Sequence, residues 1–310
     1  MRNLTKSAAF IGGILALTSS GANAQSIGLP GTALYPESIA YSPKTGVMYV
    51  TGSGDGSVQT FDPNHTERGT KVLQPAGTDG RKSALGVKVD DQRERLFVVD
   101  GASVYVYGLE SNELIRKIDA STVIGDAKTF LNDIAFDAQG NAYITDSFNS
   151  VLYKVDSLTL SLTVFRDLSK VIPYGNQNGM PYNLNGVVLT KDQSALLAVK
   201  TNDGSLWRIS LVSDEIKEVR LSEPLMTGDA LVWGPNEMLY VARNFENLVS
   251  KVDFSEERDV YPVTSVTTSD VNVPTGVAIF EGEKTELFIL NSQWGSKSPS
   301  PFTLTEIEVK

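Results

Sequence analysis

The chain has 310 residues, 41% of them hydrophobic and 21% charged, ordinary proportions for a folded protein with length for a large core. A formal charge of −10 argues against a nucleic-acid partner, since phosphate backbones require a basic face. The absence of cysteine excludes disulfides, thiolate metal sites and thiol nucleophiles, and the single histidine, His65, closes any mechanism that needs two imidazoles.

At the N-terminus, Arg2 and Lys6 precede an apolar run from Ala8 to Leu17, and Ala22-Asn23-Ala24 forms an A-x-A cleavage site. The run is too short to span a bilayer. Residues 1–24 therefore read as a secretion signal, with a single domain over residues 25–310 that is secreted or periplasmic and free of the membrane once cleaved. Removing Arg2 and Lys6 leaves 25 basic against 37 acidic residues, a charge of −12. Free calcium is usually plentiful in such a compartment.

After a short segment at residues 26–34, one pattern recurs six times. It is an apolar strand, a turn rich in Asp, Gly, Asn or Pro, a second apolar strand, a polar loop and a third strand. The copies are "YPESIAYSPKTGVMYVTGSGDGSVQTFD" from Tyr35, "ALGVKVDDQRERLFVVDGASVYVYG" from Ala84 and "FLNDIAFDAQGNAYITDSFNSVLYKVD" from Phe130. They continue as "LNGVVLTKDQSALLAVKTNDGSLWRIS" from Leu184, "GDALVWGPNEMLYVARNFENLVSKVD" from Gly228 and "PTGVAIFEGEKTELFILNSQW" from Pro274. In the third copy, Ile134–Phe136 and Ala142–Thr145 read as strands, with Leu131-Asn132-Asp133 at the doorstep of the first.

A β repeat of about 40–50 residues predicts a propeller with one four-stranded blade per repeat. The expected fold is all-β, a six-bladed β-propeller with a central metal site. Fourth strands are expected at 71–74, 114–118, 161–167 and 216–221. The C-terminal "FTLTEIEV" should complete the last blade, with a strand from residues 26–34 closing the ring.

Aligned copies place Glu37, Leu85, Asn132, Asn185, Asp229 and Thr275 at one step, with spacings of 48, 47, 53, 44 and 46. A single Asn or Asp before a strand is commonly a turn cap. Four oxygen-bearing side chains at one step of a ring are better explained as convergent ligands. Two carboxylates and two amides, without nitrogen or sulfur donors, suit a hard cation, most naturally Ca2+.

The motifs Pro36-Glu37-Ser38, "LNDIAFDAQGNAYITD", "LNGV" at 184–187 and "GDAL" at 228–231 resemble the senescence marker protein (regucalcin), gluconolactonase and diisopropyl fluorophosphatase family. The resemblance covers nearly all of residues 25–310. It implies a divalent metal held by Glu37, Asn132, Asn185 and Asp229, and hydrolysis of lactones or phosphoesters. Thr275 stands where some relatives carry a histidine. The expected activity is a metal-dependent lactonase with a small lactone-like substrate, and the competing class is a propeller that binds a ligand or protein with a structural metal.

Asp229 is the candidate base or nucleophile, with Glu37 second. Loops between second and third strands, and those leading into inner strands, should surround the mouth. They nominate Arg243, Trp294, Tyr182 and Asn183 as substrate contacts, Phe148 and Phe245 as further walls, and "YGNQNGMPYN" at 174–183 as a lid. Asp133 is expected at the substrate or orienting a neighbouring ligand. His65 should lie on the opposite face, and "TGSGDGS" at 51–57 reads as a turn.

Overall fold

The computed structural model describes residues 24–176, 179–266, 270–299 and 301–310, so the signal segment expected at 1–24 lies outside the described residues except for Ala24. The first strand is β1 (Gln25–Leu29). Blade one then comprises β2 (Pro36–Ser42), β3 (Val47–Gly52), β4 (Val58–Phe61) and β5 (Lys71–Gln74). Blade two has β6 (Val87–Asp90), β7 (Arg95–Val99), β8 (Ser103–Gly108) and β9 (Leu114–Asp119), and blade three has β10 (Leu131–Phe136), β11 (Ala142–Asp146), β12 (Val151–Val155) and β13 (Leu162–Asp167). Blade four has β14 (Leu184–Leu189), β15 (Ala195–Lys200), β16 (Leu206–Ser210) and β17 (Ile216–Val219). Blade five has β18 (Gly228–Trp233), β19 (Met238–Arg243), β20 (Leu248–Asp253) and β21 (Val263–Val266), and blade six has β22 (Pro274–Glu281), β23 (Thr285–Asn291) and β24 (Phe302–Glu308).

These strands form six four-stranded antiparallel sheets, the blades of a β-propeller. The last blade runs β1-β24-β23-β22, so the N-terminal strand becomes its outer edge, with Gln25 opposite Glu306 and Leu29 opposite Phe302. This ties the two ends of the chain into one blade and closes the ring.

Packing explains why strand alternation is blurred in the sequence. Side chains on a strand point alternately to opposite faces, and here both faces of a blade are covered by neighbouring blades. In β15, Leu196 and Ala198 join the core shared with blade three, while Leu197 and Val199 join the core shared with blade five. Likewise Met48 and Val50 of β3 face blade six and Tyr49 faces blade two. Six apolar clusters result, one at each junction between neighbouring blades.

Candidate functional site

The polar step of the repeat lies inside the inner strands, not ahead of them. In blade three the strand begins at Leu131, and its pairing with β11 slips between Leu131 and Ile134. The same slip occurs at Pro36/Ile39, Leu184/Val187, Gly228/Leu231 and Pro274/Val277. Each is a β-bulge, which bends a strand and re-aims its side chains. The first bulged residue is Glu37, Asn132, Asn185, Asp229 or Thr275, and all five line one axial cavity of about 240 Å³ together with Leu85 of blade two.

Close approach of the inner strands makes this convergence possible. A Cβ at Gly186 would stand 2.0 Å from the Asp229 carbonyl oxygen, and one at Gly86 would stand 2.3 Å from that of Asn132. Threonine hydroxyls then bond one blade to the next. Thr51 donates to the Leu85 carbonyl and Thr145 to the Asn185 carbonyl, both at 2.6 Å, and Thr275 donates to that of Pro36 at 2.8 Å.

A second set of polar residues, at the ends of the second strands, supports the first. Asn132 Nδ2 donates to Ser147 Oγ at 3.1 Å, Asn185 Nδ2 to Thr201 Oγ1 at 3.2 Å, and Asn244 Nδ2 to Asp229 Oδ2 at 3.2 Å. Ser53, at the matching position of blade one, donates instead to the Tyr35 carbonyl at 2.8 Å. Bonding each amide through its nitrogen leaves its oxygen as the group offered elsewhere. Asn185 Oδ1 is buried and accepts no hydrogen bond from the described residues. The sequence carried a signal for this set: Ser53, Ser147, Thr201 and Asn244 each follow the residue paired with the start of the inner strand.

Electrostatically the carboxylates are under strain. Burial, partly offset by Ser53, pushes Glu37 up to about 8, although its side chain keeps some exposure to the cavity. Asp229 is raised well above the usual range, first by burial and then by the charge of Glu37, with Asn244 opposing. Two desolvated acids near each other call for a proton or a cation. Among the described residues no group of three or more His, Cys, Asp or Glu side chains could hold a metal. The donor set here is mixed, two carboxylates and two amide oxygens, one of them lacking a partner, and that chemistry fits a hard divalent ion such as calcium.

The other sequence candidates divide. Tyr182, Trp294 and Phe245 line the cavity, as does Met180 of the 174–183 segment, whose residues 177 and 178 lie outside the described residues. Phe148 stands behind Tyr182, its ring stacked on it at 5.7 Å between centroids. Asn183 and Arg243 are not at the cavity. Asn183 is buried, accepting from the Gly175 N–H and donating to the Pro181 carbonyl, so it shapes the segment that carries Tyr182. Arg243 is drawn away by Glu223, Glu246, Ser250 and the Met226 carbonyl.

Asp133, the second residue of its bulge, is also absent from the cavity lining and borders a small void under the ring. Its Oδ2 accepts from the Val187 N–H at 3.0 Å and its Oδ1 lies 3.6 Å from Lys88 Nζ. It pins the inner strand that bears Asn185. His65 sits in the loop after β4, 3.4 Å from Glu67 and outside the cavity lining.

No family model matches the sequence, and no curated protein matches it. Solved structures do. The major Malassezia sympodialis allergen Mala s 1 superposes with a TM-score of 0.69 at 14% identity, over 92% of this chain and 96% of that one. A luciferin-regenerating enzyme gives 0.66 at 12% identity, covering 93% and 96%. Virginiamycin B lyase from Staphylococcus aureus gives 0.60 at 12% identity, covering 93% and 99%. At these identities the likeness shows the fold alone, and two of the three carry enzyme names.

Proposed function

We propose that the chain is a calcium-dependent hydrolase of the lactonase type, acting on lactones and related esters, secreted or periplasmic after loss of residues 1–24. The observation that carries this reading is the bulged ring, where Glu37, Asn132, Asn185 and Asp229 meet at the base of a cavity open to a small molecule. The resemblance of the motifs around these four residues to the regucalcin and gluconolactonase family points the same way. Two of the structural neighbours named above are enzymes, which agrees with a catalytic propeller.

In this reading Glu37, Asn132, Asn185 and Asp229 hold the ion. A bound divalent cation supplies Lewis-acid polarisation of a carbonyl oxygen and a lowered pKa for water. Asn244 holds Oδ2 of Asp229, which leaves the other oxygen of that carboxylate to take a proton from water or to attack the carbonyl carbon. Ser147 and Thr201 fix the two amides so that their oxygens need no reorganisation. The aromatic side chains of the mouth exclude water around the reacting ester.

A binding propeller with a structural metal is the second reading, and one observation favours it. Among the described residues the only other carboxylate of the lining, Asp100, is spent on the Ala102 and Ser103 N–H groups and the Tyr105 hydroxyl, so none of them offers a carboxylate base free of the donor ring.

Three variants separate the readings when assayed on lactones and aryl esters at rising calcium. Asn132→Ala removes one neutral oxygen, and saturating calcium should recover part of its activity. Asp229→Asn should bind calcium yet stay inactive at saturation. Glu37→Gln is the matching charge control. Equal rescue of all three removes Asp229 from the chemistry, and no turnover of any substrate by calcium-loaded wild type overturns the hydrolase.

A further inference from the structure

The walls of the cavity above the donor ring carry a selectivity of their own. Among the described residues no Lys, Arg or His lines this cavity. Arg243, the cation expected from the sequence, is 6% exposed and fully engaged by Glu223, Glu246, Ser250 and the Met226 carbonyl, and Lys128, outside the lining, stands over the Phe148 ring at 4.9 Å. Lys88 lies under the ring against Asp133. A divalent ion on Glu37 and Asp229 would bring the local charge to zero, so a charged substrate group would enter with no counter-ion.

Among the described residues, the Ser, Thr and Asn side chains of the lining are already committed. Ser53 Oγ donates to the Tyr35 carbonyl, Ser83 Oγ to that of Ser53, Thr201 Oγ1 to that of Gly228 and Thr275 Oγ1 to that of Pro36. The three carboxamides, Asn132, Asn185 and Asn244, donate within the ring as described. A polyhydroxylated ligand would find few donors free to answer its oxygens.

Apart from the Tyr182 hydroxyl and the Trp294 indole N–H, the rest of the described lining is mainly apolar. Tyr182 sits 5.4 Å from Phe130 and edge-on to Trp294 at 6.4 Å, with Phe148 stacked behind it. Phe245 and Trp294 are 43% and 42% exposed, unusual for large aromatic side chains, and both belong to the cavity mouth.

We infer that this cavity takes an uncharged ester or lactone carrying a short apolar arm, held between Tyr182, Trp294 and Phe245, and discriminates against polyhydroxylated and anionic lactones. This rests on the hydrolase reading for its reacting group, although the apolar mouth stands without it. Selection comes from desolvation: the arm leaves water for aromatic surface, whereas several hydroxyls or a carboxylate would leave water for walls with few donors and no cation among the described residues.

The test uses calcium-loaded full-length protein and two parallel series. The first compares kcat/KM for δ-octalactone, glucono-δ-lactone and a δ-lactone whose arm of equal length ends in a carboxylate. The second measures calorimetric binding of the matching lactams, which are not hydrolysed. The alkyl lactam should bind at least about tenfold tighter than the other two. Trp294→Ala and Phe245→Ala should raise KM for δ-octalactone about tenfold more than they lower kcat, with Trp294→Phe restoring most of the loss. The lactam order holding without turnover of any lactone would keep the apolar mouth and overturn the hydrolase. Faster turnover of gluconolactone, or tighter binding of the polyhydroxylated or carboxylated lactam, would overturn the apolar arm.

Discussion

At the junction of blades two and three, Phe97 meets Phe136 edge-on at 5.1 Å, surrounded by Leu131, Ile134 and Val99, and water is almost wholly excluded. On the axis, two carboxylates are buried near one another, and Asn185 Oδ1 and Asp133 Oδ1 accept no hydrogen bond from the described residues. Both regions are interior, yet the junctions bury apolar area that drives folding while the axis buries polar groups at a cost. The difference teaches that the ring is held shut from outside its centre. The centre can then carry chemistry that a self-supporting core would reject.

The comparison breaks most sharply in the junctions. Phe97→Ala empties a site that is 1% exposed and should cost about 3–5 kcal/mol in thermal or urea unfolding. Calcium affinity of the molecules that remain folded should be unchanged. A loss of that size in affinity as well would mean that the junctions and the axis are one cooperative unit.

The axis should show the opposite sign of pH response from an ordinary salt-bridged protein. Glu37 is raised from 4.5 to about 8, so between these values the folded chain holds a proton that the unfolded chain has lost. The calcium-free protein should therefore lose stability, by an amount of order a few kcal/mol, as pH rises from about 5 to about 8. Asp229, also raised, acts in the same direction. Calcium at pH 8 should restore the melting temperature, and Glu37→Gln should flatten the calcium-free curve. A calcium-free protein that grows more stable across this range would refute the buried acid pair.

Smaller effects sharpen the contrast. Gly186→Ala sets a methyl group against the Asp229 carbonyl, which is backbone and cannot swing aside. It should cost about 1–3 kcal/mol and weaken calcium binding, since Asp229 must shift. Gly28→Ala in the closing strand β1 meets nothing within 4 Å and should stay within about 0.5 kcal/mol of the parent in the same denaturation assay.

Much of this was open to a reader of the sequence. The repeat interval predicts six blades, and the fourth strand expected at 71–74 coincides with β5. The strand expected at residues 26–34 appears as β1 at Gln25–Leu29, in the closing position beside β24. The common step of Glu37, Asn132, Asn185 and Asp229 also follows from alignment, because a closed ring carries equivalent positions to equivalent places. The second ring was legible in principle, since Ser53, Ser147, Thr201 and Asn244 repeat as faithfully as the first.

Residue types and repeat spacing, which depend only on chain order, determined the number of blades, the closure and which oxygen-bearing side chains share the axial cavity. Tertiary structure alone decided where each neighbouring side chain points. The bulge places Asn132 in the cavity and Asp133 under the ring although they are adjacent in the chain. Arg243, at the end of β19, and Asn183, just ahead of β14, sit where a substrate contact would be expected, and both are taken instead by partners distant in sequence, Glu223 and Ser147. A buried charge or amide goes to whichever partner lowers its desolvation cost, and that partner is known only once the chain has closed on itself.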